Sequence, residues 1–311
     1  MIDYQRNALI ERTCDTKEWD ITRKPHTKTK LMLLNAYIDS WFTIWLAQYR
    51  KFPAWLGKKM IIIDLFAGTG KYYESNTKRS GSPLIFLEKA YENLRKIEEY
   101  NLEIEFYFIE KNKKNFQCLQ DNINDFFADK NKTIRNRFKI FIFNKDCHEI
   151  YEDILHKLQS TQPYPMFLYI DPYGIKVQNK LIVDFLQCKH KKDILFNFMT
   201  MGVQRVKGAV YGNASNPLQL KRTLENFLGE ESIDSGDNVY SILKQFSHTT
   251  FVDNKFKVII YDMPYPQKRG ILYHLLFATK NEKIIDVAEK LFIKIKKERQ
   301  PSLFDPEFQK L

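Results

Sequence analysis

The sequence predicts an α/β fold built on a mostly parallel sheet, and three observations carry that expectation. Short apolar runs alternate with helical stretches from Met60 to Met199, and strands separated by helices make parallel βαβ units. The first of these runs leads directly into a glycine turn, Asp64-Leu65-Phe66-Ala67-Gly68-Thr69-Gly70. Near the end, Phe256–Tyr261 and Ile271–Ala278 are joined by Met263-Pro264-Tyr265-Pro266-Gln267-Lys268-Arg269-Gly270, a link too short for a helical crossover, so this pair is antiparallel.

The elements follow in order. Residues 1–26 are polar and without period. Leu31, Leu34, Tyr37, Ile38, Trp41, Ile44, Trp45 and Tyr49 recur at helical spacing and mark a long amphipathic helix ending near Pro53. Met60–Leu65, Ile104–Glu110, Phe138–Phe143, Met166–Ile170 and Ile194–Met199 read as strands. Pro83–Glu99, Lys114–Phe127, Glu149–Leu158 and Lys180–Cys188 read as the helices between them. Gly202, Gly208, Gly212, Gly229 and Gly236 punctuate helical pieces over 200–250, and Asn281–Lys297 closes the chain as a helix. Five βα-type strands followed by an antiparallel hairpin are the strand inventory of a class I methyltransferase, a Rossmann-like sheet of seven strands, mostly parallel, with an antiparallel last strand. The expected division is an N-terminal helical extension over 1–58, a methyltransferase-like domain over 59–297 and a tail over 298–311. Within the domain, a helical insertion after strand five (200–254) is expected on the substrate side.

Composition narrows the function. The 311 residues, 44% of them hydrophobic and 14% aromatic, can bury a sizeable core, and 11 Gly and 11 Pro exclude collagen-like or low-complexity chains. Lys and Arg outnumber Asp and Glu by 49 to 38, a net charge of +11 that favours an anionic partner, nucleic acid being the commonest. A generally Lys-rich surface would have the same composition. Cys14, Cys118, Cys147 and Cys188 form no CxxC pair, and the six His show no metal spacing, so no metal is expected. A reduced, cytoplasmic setting follows from the cysteine usage. Met1–Arg12 lacks the apolar core of a secretory signal. No run approaches the ~18 apolar residues of a membrane span, so no membrane is expected as partner.

The chemistry concentrates at strand ends. In Asp64…Gly70 the glycines let the backbone turn tightly and approach a ligand. A P-loop would need Gly at 65 and Ser or Thr at 72, where Leu65 and Tyr72 stand, and a dinucleotide fingerprint would need Gly at 73, which is Tyr73. The remaining reading is an S-adenosylmethionine loop, with Phe66, Ala67, Gly68 and Gly70 along the cofactor. Glu110 ends the second strand, suited to the ribose hydroxyls, though further along than the ~20 residues of a dinucleotide fold. The excess fits an inserted loop around Lys71–Ser82. Asp146, beside Cys147, ends the third strand, suited to the adenine amine. Asp171-Pro172-Tyr173-Gly174 ends the fourth. Asp171 and the Pro172 carbonyl can accept the two N–H bonds of an amine, and Tyr173 can stack on a flat acceptor. A plain β-turn would use the same residues. Asn197 and Arg205 flank the end of the fifth strand. Arg205 and Lys207, with Lys221 and Arg222, can meet phosphate, or form a solvated basic face. His26 and Lys30 precede the long helix and could close over the cofactor.

Taken together, His26 and Lys30, the Leu33…Tyr37…Trp41 helix, the Asp64–Gly70 loop, Gly81-Ser82-Pro83-Leu84, Asp171-Pro172-Tyr173-Gly174 and Gln300-Pro301-Ser302-Leu303-Phe304 resemble the three-Cys-motif partner protein family over nearly the whole chain. The Asp171 motif is also similar to the Asp-Pro-Pro-Tyr type of amino-methyltransferases. It is closer to the Asp-Pro-Phe-Gly form of tRNA guanine-N2 dimethyltransferases, with Tyr173 in place of Phe. The resemblance implies an S-adenosylmethionine-dependent methyltransferase fold. It also implies a bacterial or phage-related setting beside a Gp37/Gp68-like protein that carries the three-Cys motif. Carried onto this chain, it implies cofactor contacts at Asp64, Gly68, Gly70, Glu110 and Asp146, with Phe66, Ala67 and Cys147 beside them, and Asp171 facing both cofactor and acceptor. Tyr173, Gly174, Asn197, Arg205 and Lys207 are expected on the substrate side. The expected reaction is N-methylation of an exocyclic amine of a nucleic-acid base. A non-catalytic cofactor-binding scaffold, or a protein or small-molecule methyltransferase, are the alternatives.

Overall fold

Four isoleucine and methionine side chains in succession, Met60 to Ile63, are buried along the first core strand, β1 (Lys59–Asp64), of the computed structural model. The structure describes residues 25–52, 57–74, 77–130, 133–159, 162–212, 215–229, 234–265, 270–298 and 309–310. They fall into two units, divided after Cys147.

In the first unit β1 pairs in parallel with β4 (Glu103–Ile109), Ile62 in register with Phe106. Strand β4 in turn pairs in parallel with β5 (Phe138–Phe143), Phe106 in register with Ile140. Unbroken apolar runs such as Met60–Ile63 suit a parallel sheet covered on both faces. Helix α1 (Pro25–Lys51) buries Leu34, Ile38, Trp41, Trp45 and Tyr49, the spacing of three and four that places one face inward. The Tyr49 hydroxyl donates to the carbonyl of Lys59 and ties the end of α1 to the start of β1. The chain then adds α2 (Ser82–Glu92), with Pro83 in its first turn, α3 (Leu94–Glu99), α4 (Lys113–Ala128) and α5 (Thr133–Arg137). Asn112 caps α4, its side chain accepting from the N–H groups of Lys114 (2.9 Å) and Asn115 (3.2 Å).

The insertion expected as a loop over Lys71–Ser82 is instead a two-stranded ribbon. Strands β2 (Lys71–Glu74) and β3 (Thr77–Ser80) pair antiparallel, Tyr72 opposite Arg79. Gly81 N–H donates to the carbonyl of Gly70 (2.7 Å) and closes the base of the ribbon. A Cβ at Gly81 would stand 2.9 Å from that carbonyl oxygen, which is why glycine is needed there.

The second unit opens with α6 (Cys147–Gln159), whose first residue precedes the division. Strand β6 (Pro165–Ile170) is buried throughout and pairs in parallel with β7 (Lys191–Phe198), with α7 (Asn179–Gln187) between them in sequence. After β7 come α8 (Thr200–Val210), α9 (Pro217–Leu228), α10 (Val239–Ser247) and a π-turn over His248–Val252. Then β8 (Lys257–Pro264) and β9 (Ile271–Thr279) form the antiparallel pair, and β9 is also antiparallel to β7, Phe198 opposite His274. Helix α11 (Glu282–Glu298) follows.

The first unit therefore orders its sheet β1-β4-β5, and the second β6-β7-β9-β8, with β9 the antiparallel strand. These are the pairings of the two halves of a class I methyltransferase sheet, and the fold is of that α/β class. Two residues of the predicted tail, Gln309–Lys310, add a short β10 antiparallel to β8. The rest of the tail, with Gln300–Phe304, lies outside the described residues, as do residues 1–24 with Cys14. Among the described residues no helix is long and apolar enough to cross a membrane.

Candidate active site

The glycine loop leaves the carboxyl end of β1. Asp64 is fully buried, and its Oδ1 accepts the N–H of Phe66 (3.1 Å), which turns the chain out of the strand. Gly68 and Gly70 sit at φ +62° and +79°, the left-handed region that glycine reaches without steric cost. At Gly70 a Cβ would also approach Leu119 Cδ1 to 3.0 Å. Ala67 N–H donates to the carbonyl of Ile109 (2.9 Å), and the side chain of Asn122 on α4 donates to the carbonyl of Thr69 (2.8 Å).

Glu110, at the end of β4, stands against this loop. Its Oε2 accepts the N–H of Gly68 (3.0 Å) and its Oε1 that of Asn112 (2.6 Å). Burial pushes the carboxyl above the ordinary carboxylate value, against the pull of those two N–H groups and of the Asn115 side chain. The Asn115 side chain donates to it as well, and since a carboxylate offers about four acceptor positions, one remains for a ribose hydroxyl. Asp146, past the end of β5, pairs with the exposed Lys111 (2.9 Å) and accepts weakly from the Cys147 thiol (3.7 Å). Cys147 is buried. Phe66 is half-buried and Ala67 buried in the loop. Lys30 is buried on α1 and His26 half-buried in its first turn.

The second unit holds the other candidate residues. Asp171 follows the last residue of β6, and both of its oxygens are engaged. Oδ1 accepts from Nδ2 of Asn197 on β7 (2.7 Å), and Oδ2 from the hydroxyl of Tyr169 (3.3 Å). Pro172 is buried and Tyr173 is 92% exposed. Gly174 turns the chain at φ +83°. The first turn of α8 packs on this corner: a Cβ at Gly202 would reach Ile175 Cγ2 at 3.0 Å. The turn is thus supported from below while its tyrosine ring faces solvent.

Sequence reasoning missed Tyr169. The signal was available, since residues two apart on a strand share a face and Tyr169 lies two before Asp171. Asn197 stands differently from the expectation of substrate contact through its amide nitrogen, because that nitrogen is given to Asp171. Lys207 is likewise engaged, its ammonium donating to the carbonyls of Ser235 (2.8 Å) and Asp237. It ties α8 to the segment before α10. Arg205 is exposed on α8.

No family model matches the chain, and no curated protein does. Solved structures resemble it at low identity. A Legionella pneumophila str. Philadelphia 1 protein of the DUF519 family model is 11% identical, with a TM-score of 0.49 over 89% of this chain and 95% of that one. The methyltransferase domain of a bacterial Hen1 protein is 9% identical, TM-score 0.37, over 79% and 99%. Magnesium protoporphyrin IX methyltransferase from Synechocystis PCC 6803, with bound SAH, is 8% identical, TM-score 0.32, over 78% and 83%.

Proposed function

We propose that the chain is an S-adenosylmethionine-dependent N-methyltransferase, acting on an exocyclic amine of a nucleic-acid base. The carrying observation is Asp171: a carboxylate at the end of β6, held on both oxygens by buried groups, next to a proline and a fully presented tyrosine ring. The cofactor fits the residues of the first unit. Gly68 and Gly70 hold a close-approach loop, and Glu110 keeps an acceptor position for a ribose hydroxyl.

S-adenosylmethionine supplies a methyl group on a sulfonium. Everything else is assigned to the chain. Asp171 and the Pro172 carbonyl accept the amine's N–H bonds and turn its lone pair toward the methyl carbon. Such orientation converts an encounter into an in-line approach, worth up to about 7–11 kcal/mol in well-aligned systems. The carboxylate also offsets positive charge developing on the nitrogen. Tyr173 stacks on the base, and Arg205 meets a phosphate. A duplex target has its base flipped out. The resemblance of motifs extends the proposal to a phage-related, Gp37/Gp68-like three-Cys-motif protein as partner, and the cysteine usage extends it to a cytoplasmic setting.

Calorimetric titration with S-adenosylmethionine, followed by a tritiated-methyl screen of tRNA and DNA, tests the proposal. Asp64→Ala is expected to abolish cofactor binding. Asp171→Ala is expected to bind cofactor normally and lose transfer by about a hundredfold or more. Cofactor binding with no transfer to any substrate, partner included, would identify a scaffold instead.

A further inference from the structure

Asn197 is 2% exposed on β7 and spends its nitrogen on Asp171. The orientation of the amide is set by chemistry, since the reverse would place Oδ1 against a carboxylate. Its Oδ1 is buried with no hydrogen-bond partner among the described residues. A buried acceptor left unsatisfied costs about 1–3 kcal/mol, so one kept beside Asp171 points to a donor that arrives with the ligand. Asp171 Oδ1 accepts from Asn197 and Oδ2 from Tyr169, which leaves both oxygens as acceptors facing this corner's donors. The corner is therefore rich in acceptors, and its two donors, Asn197 Nδ2 and the Tyr169 hydroxyl, are given to Asp171.

We infer that Asn197 is a specificity residue: with Asp171 it forms an acceptor pair that selects a ligand group bearing at least two N–H bonds, a primary or exocyclic amine, over a hydroxyl or carbonyl. A hydroxyl brings one donor and leaves an acceptor unpaired. A carbonyl brings none and faces a carboxylate. The same Asn197 side chain positions Asp171, because the 2.7 Å bond fixes the carboxylate plane. This deepens the proposed N-methyltransferase reading and rests on it for what the amine is used for; the amine selection itself needs no cofactor.

The test is a calorimetric and NMR titration of the full chain with nucleosides in matched pairs. Cytidine and adenosine carry an exocyclic amine. Uridine and inosine carry a carbonyl in its place. Wild-type protein is expected to bind the amine-bearing partner of each pair at least about tenfold more tightly, the worth of one satisfied buried acceptor. Its Asn197 side-chain amide resonances are expected to move on titration. Asn197→Leu, similar in volume and without the acceptor, is expected to bring each pair within about threefold. A merely structural role for Asn197 would weaken all four nucleosides alike. Equal wild-type binding within each pair, or no binding of any nucleoside at millimolar concentration, would overturn the inference. S-adenosylmethionine titrated in parallel separates the two readings. Amine selection without cofactor binding sinks the methyltransferase and keeps the amine site. Cofactor binding and transfer without amine selection do the reverse.

Discussion

Two glycines of the second unit have opposite surroundings and opposite expected responses to alanine. Gly229 ends α9 at φ +73°, and a Cβ there would stand 2.3 Å from Asn179 Nδ2. That nitrogen donates to the carbonyl of Leu228 (2.8 Å) and to Thr250 Oγ1 (3.0 Å), so the methyl group and the hydrogen bonds compete for one place. Gly229→Ala is expected to destabilise by about 3 kcal/mol, from left-handed strain plus a displaced buried amide. Gly208 lies inside α8 with nothing within 4 Å of a built Cβ. Gly208→Ala is expected to stabilise by about 0.5–1 kcal/mol, through helix propensity alone. Urea denaturation of the two variants checks both signs at once. Equal effects would mean that the local geometry, and not the chain's intrinsic freedom, had been misjudged. At the same scale Asp171 differs from Lys207: both are polar residues picked out by motif or charge, but one is held at a strand end and the other is spent on a neighbouring loop.

The helices after β7 are held to the sheet by aromatic rings. Phe196 and Phe198 on β7 meet Phe227 of α9 and Phe246 of α10, with ring centroids 5.2–6.2 Å apart. The Phe227 and Phe246 rings stack at 5.8 Å and 3°. This cluster fastens α9 and α10 to β7. Phe246→Ala is expected to cost about 3–5 kcal/mol, the usual range for a buried aromatic truncated to alanine. It should also raise the hydrogen-exchange rate of α9 and α10 ahead of β6. Exchange measured by mass spectrometry that rose uniformly across the second unit would show that the helices do not open as a group. Helix periodicity was legible for α1, where Leu34, Ile38, Trp41 and Trp45 repeat at three and four. The β2–β3 ribbon was not legible, because Lys-Tyr-Tyr-Glu and Thr-Lys-Arg-Ser have no apolar alternation to announce a strand.

At the scale of the molecule, pH dependence follows from one buried histidine. His274 on β9 is 1% exposed. Its Nδ1 meets the hydroxyl of Thr200 at 2.5 Å, and Asp262 Oδ1 lies 3.4 Å from its Nε2. Burial pushes the imidazole down to about 4, from an ordinary value of 6.5. A depressed pKa means that the unfolded chain binds the proton more readily. Its contribution to stability is therefore present above pH 6.5 and lost as pH falls through about 4. At full effect the shift corresponds to about 3 kcal/mol. His274→Gln keeps a polar partner for Thr200 and removes the titration. Thermal unfolding from pH 7 to 4 is expected to show a shallower fall for the variant than for the wild type. Parallel curves would assign the acid sensitivity to other groups, His190 among them, which burial also holds below its ordinary value.

The sequence by itself determined the alternation of strands and helices, the glycine loop after the first strand and the four-residue turn after the fourth. These are written in short-range patterns: period, chain reversal and the backbone freedom of glycine act over a few residues. Only the tertiary structure decided which groups those patterns serve. Asp171 and Asn197 are 26 residues apart, Lys207 and Asp237 are 30, and Asn179 and Thr250 are 71. Which of these pairs meet depends on strand order and on helices packing against the sheet, and no local pattern encodes it. The identity of the polar residues was therefore readable along the chain, while their partners, and with them their roles, were set by packing.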